Sequence, residues 1–146
     1  MIATWKKVVL LAMLASLVLC GGAIAGPTWL CSITTVVAVD EDGTVGAPDL
    51  GGLERPTFLR VDAAKKEVTL LGPESRRGEV TKIETVLEIE GVWVFSGVED
   101  ERAWSMIITA KGQMTLSISN DGVVWSVFGH ALPSDAVSAG ESKAKP

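Results

Sequence analysis

The chain contains no tyrosine and a single histidine, His130. Few side chains can therefore exchange protons near neutral pH, which leaves general acid–base catalysis with hardly any candidate groups. Only two cysteines occur, Cys20 and Cys31, too few for a disulfide framework. Aromatic residues are sparse at 5%, with five tryptophans and three phenylalanines. Basic residues are the minority, 13 against 18 acidic ones, for a net charge of −5. Such a surface repels phosphate backbones and argues against a nucleic-acid partner. Metal and cofactor signatures are also missing. Asp40-Glu41-Asp42-Gly43 lacks the third ligand and the later Glu that a calcium loop needs, so it reads as a turn. Beyond residue 25 no stretch has helical apolar spacing.

What is present begins with a leader. Lys6-Lys7 precedes an uncharged apolar run over 8–19, and Ala23-Ile24-Ala25 has the small-x-small pattern that a signal peptidase accepts. The expected organisation is a signal peptide over 1–25, a β domain over 26–132 and a disordered Ser/Ala/Gly/Lys-rich tail over 133–146. This points to a periplasmic or secreted protein. Two alternatives stand beside cleavage before Gly26. Leu17-Val18-Leu19-Cys20 looks like a lipoprotein box, and 8–25 approaches the roughly 20 apolar residues that span a bilayer. Contact with a membrane is expected only if the leader is retained or Cys20 is lipidated. Loss of Lys6 and Lys7 would leave 11 basic groups against 18 acidic, a net of −7. It would also leave Cys31 as the last thiol, read as a small buried hydrophobe or as half of an intermolecular disulfide.

The mature part is organised around 102–119. Trp104, Met106 and Ile108 alternate with smaller residues; after Lys111-Gly112, Met114, Leu116 and Ile118 do the same. Successive side chains of a strand point to opposite faces, so this is an antiparallel hairpin with one apolar face. A strand is predicted over 31–39, and a second hairpin joins 57–62 to 67–71 with Leu59, Val61, Val68 and Leu70 inward. The stretch 81–90 alternates Ile83, Thr85, Leu87 and Ile89 against Lys82, Glu84, Val86, Glu88 and Glu90, predicting one dry and one charged face. Glu90-Gly91 then leads into 92–96, where Trp93 and Phe95 either fill the core or line a pocket. Asn120-Asp121-Gly122 is a further reversal, and 123–129 is the last strand, with Trp125 and Val127 on one face. About eight strands joined by short turns predict an all-β fold, an antiparallel up-and-down barrel, with a two-sheet sandwich as alternative.

Chemical constellations are weak. Glu99-Asp100-Glu101 is a turn of solvated acids rather than a carboxylate pair across a cleft. Arg76-Arg77 reads as solvated loop charge, with anion binding the lesser reading. His130 could form a triad with Ser126 or Ser119, but neither serine stands in a nucleophile elbow.

Thr57-Phe58-Leu59-Arg60-Val61-Asp62, Arg102-Ala103-Trp104-Ser105-Met106 and Val127-Phe128-Gly129 resemble a pattern shared by small exported proteins of Gram-negative bacteria, a group without an assigned activity. The resemblance implies an exported β protein and brings no catalytic residue with it. In that group a cysteine often follows Phe-Gly and could pair with one near the N-terminus; here the position is His130. These readings lead to a non-enzymatic periplasmic barrel that binds a small apolar or amphipathic ligand through Trp93, Phe95, Trp104 and Trp125. The alternative is an envelope-accessory module with a filled core whose partner is another envelope protein.

Overall fold

A computed structural model describes residues 26–135; the predicted leader with Cys20, and the predicted tail beyond residue 135, lie outside them. The described chain is all-β. Its strands are β1 (Thr28–Val39), β2 (Val45–Gly46), β3 (Phe58–Asp62), β4 (Glu67–Gly72), β5 (Val80–Lys82), β6 (Thr85–Ile89), β7 (Val92–Glu99), β8 (Arg102–Ile108), β9 (Gln113–Asn120) and β10 (Val123–Pro133). Pro133, assigned to the tail by composition, instead ends β10 opposite Trp29. No helix among the described residues is long and apolar enough to cross a membrane.

The order across the sheet is β5-β4-β3-β1-β10-β9-β8-β7-β6, antiparallel throughout, with the short β2 added to β1. Its two ends, β5 and β6, are consecutive in the chain. Ile83 N–H donates to Lys66 O on the β4 side and Glu84 N–H to Ser96 O on β7, each at 2.9 Å. The segment 80–89 is thus one bent stave that changes partner at its middle. With it the sheet curls round into a barrel-like shell in which, from β3 onward, consecutive strands are neighbours joined by short connections. Glu90-Gly91 and Asp121-Gly122 take positive φ at both positions, as does Asp100-Glu101 (φ 48° and 64°). Paired left-handed residues match the twist of antiparallel strands, so these turns lock the registers of β6–β7, β7–β8 and β9–β10.

The bend corrects one expectation. The face predicted to be dry over 81–90 holds only up to Ile83, which is 3% exposed, while Leu87 and Ile89 are 50% and 62% exposed. Val86, predicted on the charged face, packs against the core. A corner between Ile83 and Glu84 breaks the two-residue rhythm, because each half of the stave answers to a different neighbour.

Elsewhere alternation decides what is inside. Phe95, Met106, Leu116 and Val127 form one cross-strand row, and Trp93, Ile108, Met114 and Gly129 form the next. Leu59, Val61, Val68 and Leu70 are all buried, as predicted. Burying each such side chain contributes about 1.5–3 kcal/mol, which lets a chain of this size fold without a disulfide. The outer wall from β6 to β10 differs from the rest of the surface. Its rows run Thr85-Ser96-Ser105-Ser117-Ser126 and Leu87-Val94-Ile107-Thr115-Phe128, with no Lys, Arg, Asp or Glu at the outward positions.

Candidate functional site

The interior has a filled half and a hollow half. In the filled half Trp29 of β1 reaches across the shell to β7. Its ring meets Trp93 at 5.1 Å and Phe95 at 5.5 Å, both edge-on, while Trp93 and Phe95 stack at 6.3 Å. Such contacts add about 0.5–1.5 kcal/mol per pair beyond burial and plug this end of the shell. Trp93 and Phe95 therefore fill the core, the first of the two roles open to them from sequence.

The other half opens to solvent through a cavity of about 440 Å³. Its floor is formed by Leu59, Val68 and Leu70 on one wall and Trp104, Met106, Leu116 and Ile118 on the other. Its mouth is formed by Pro56, the 76–81 segment and the β7–β8 turn, which bring Arg76, Glu79, Thr81, Glu99, Asp100 and Arg102 to one rim. An apolar floor below a few charged groups is the usual make-up of a small-molecule site, and the volume falls within the range such sites occupy.

Of the four aromatic residues singled out from sequence, Trp104 lines this cavity. Trp93 and Phe95 belong to the aromatic plug. Trp125 shares the inward row of Gly97, Trp104 and Ile118 but stands outside the cavity lining. Trp104 depends on the glycine opposite it on β7: a Cβ on Gly97 would lie 3.0 Å from Cζ2 and Nε1 of the indole and from the Lys82 carbonyl oxygen. The absence of a side chain there admits the ring and the bent stave together. The indole Nε1 is buried and has no hydrogen-bond partner among the described residues, a penalty of about 1–3 kcal/mol.

The rim is held by its own bonds. Arg76 Nε and Nη2 donate to the two Glu79 carboxylate oxygens at 3.0 and 2.7 Å, and Nη1 donates to Glu54 O at 3.2 Å. Ser75 donates to the Glu54 carboxylate, so the 73–79 loop is tied to the loop before β3. The bond from Arg76 holds Glu79 below the usual carboxylate range, and the same bond raises the already high pKa of Arg76. Arg77 pairs with Glu74 at 2.8 Å on the exposed side. Thr81 Oγ1 donates to Glu99 Oε2 at 2.8 Å, and Arg102 Nη2 lies 3.4 Å from Asp100 Oδ2.

The remaining sequence candidates fall apart in space. Ser126 and His130 lie four residues apart on the outer face of β10, about 13 Å along the strand. Ser119 is outward on β9, opposite Val124. Cys31 is fully buried inside, and burial pushes its thiol up to about 12. It is sealed from an intermolecular partner and packs as a small hydrophobe. It stands opposite Ala131, whereas His130 stands opposite Ser32 on the other face, so position 130 cannot supply the second half of a bridge to Cys31.

Sequence reasoning missed Trp29, although Trp29, Cys31 and Ile33 continue the alternation of β1. It also missed the rim, whose members come from the 74–79 segment, β5 and the facing ends of β7 and β8, with no shared period. No family model matches the chain, and neither does a curated protein or a solved structure.

Proposed function

We propose that this is an exported, non-enzymatic β-barrel protein that holds a small apolar or amphipathic ligand in the cavity beside Trp104. The observation that supports the reading is the division of the interior. One half is closed by Trp29, Trp93 and Phe95, and the other keeps a 440 Å³ space with an apolar floor. Leu116 and Ile118 are only partly buried at this opening, so a ligand seated there would cover apolar surface that the fold leaves to solvent. Native mass spectrometry of protein purified without detergent tests this, together with a tryptophan-fluorescence titration using decyl-chain amphiphiles. A co-purifying small molecule or saturable quenching is the expected result. Absence of both would overturn the proposal, as would unchanged binding in Leu116→Trp, which fills the floor.

A second reading, an envelope-accessory protein that docks on a partner, is favoured by the uncharged outer wall of β6–β10. Under that reading, Ser105→Glu and Ser117→Glu in the wall abolish co-purification of an envelope protein, while changes in the cavity leave it untouched.

A further inference from the structure

The rim of the cavity contains two guanidinium and three carboxylate groups, and their pairing is uneven. Arg76 is fully engaged, with every guanidinium nitrogen bonded to Glu79 or to the Glu54 carbonyl. Arg102 stands directly opposite Glu99 on the β7–β8 ladder, yet its guanidinium turns to Asp100 at 3.4 Å. Glu99 is left with the Thr81 hydroxyl as donor and no cation partner among the described residues. It is half-buried, at the edge of the apolar floor, where charge interacts more strongly than in open water.

A half-buried carboxylate without a cation is an incomplete pair, and the rim as a whole carries one excess negative charge. Resting on the cavity as the ligand site, we infer that its occupant is an amphiphile whose head carries a cationic nitrogen seated against Glu99. The alkyl part lies on Leu116 and Ile118, the partly buried apolar residues of the lining. The nitrogen completes the pair that Arg102 leaves open. An amine, a quaternary ammonium or a zwitterion meets this requirement. A carboxylate or sulfate head does not, because it would face Glu99 and Asp100 with a single loosely held guanidinium to offset them.

The test uses one decyl chain carrying four heads: trimethylammonium, phosphocholine, sulfate and hydroxyl, each kept below its micelle concentration and titrated calorimetrically. The two nitrogen-bearing heads are expected to bind at least tenfold more tightly than the sulfate. Glu99→Gln, checked for folding by circular dichroism, should reduce that preference to threefold or less. Arg102→Gln, which removes the neighbouring positive charge, should widen it. Equal binding of all four heads, or a sulfate preference, overturns the head-group inference and leaves the cavity reading intact. Failure of every decyl probe to bind overturns both.

Discussion

Thr81 Oγ1 donates to Glu99 Oε2 at 2.8 Å, and the two residues belong to β5 and β7, strands that share no backbone ladder. At this seam a side-chain bond joins the two strands beside the backbone bond from Glu84 N–H to Ser96 O, where the other neighbouring strands are joined by ladders. The seam also borders the cavity, since both residues form its rim. Thr81→Val keeps the shape and removes the donor, so it should destabilise the fold by about 1 kcal/mol, while Thr81→Ser should be close to neutral. A double-mutant cycle with Glu99→Gln isolates the pair. Additive single effects, within about 0.3 kcal/mol by urea denaturation, would mean that the bond does not hold the seam in solution.

Trp104 combines a buried ring with an unsatisfied N–H. Truncation to Ala removes the ring and should cost about 3–5 kcal/mol. Trp104→Phe loses part of the packing but also relieves the orphaned donor, so the two effects offset and the cost should stay below about 1.5 kcal/mol. Gly97→Ala should behave like the larger change, because its Cβ is driven against the indole and the Lys82 carbonyl. Urea midpoints for the three variants check the order. If Phe costs as much as Ala, ring size rather than the buried N–H governs this position.

Much of the shell was legible because alternation is a local property. The hairpin of β8 and β9, the inward set Leu59, Val61, Val68 and Leu70, and the turns at Gly91 and Gly122 all announce themselves within a few residues. Trp29 is equally legible in principle, since it continues the alternation of Cys31 and Ile33. The corner at Ile83 was not legible. Leu87 and Ile89 keep the apolar rhythm after the bend has turned them outward, and only contact with both β4 and β7 shows where the stave changes partner. The rim was hidden for a related reason. Arg76, Thr81, Glu99 and Arg102 meet because the sheet curls, and no spacing along the chain encodes that meeting. In isolation Glu99 looks like one of three solvated turn acids; in the fold it is the last residue of β7.

Cys31 makes a prediction in the alkaline range. Burial lifts its thiol from 9.0 to about 12, so the folded chain keeps a proton that the unfolded chain loses. The resulting stability is whole below pH 9 and is lost as pH climbs from 9 towards 12. Across that interval the slope attributable to this one group approaches about 1.4 kcal/mol per pH unit. Cys31→Ala removes the titrating group and leaves a small apolar side chain, so its stability should fall less steeply over the same interval, whatever its value at neutral pH. Urea midpoints for both proteins at pH 8, 9, 10 and 11 separate the two slopes. Parallel curves would mean that water reaches the thiol, and native-state alkylation at pH 8 would then proceed at the rate of an exposed cysteine instead of being blocked.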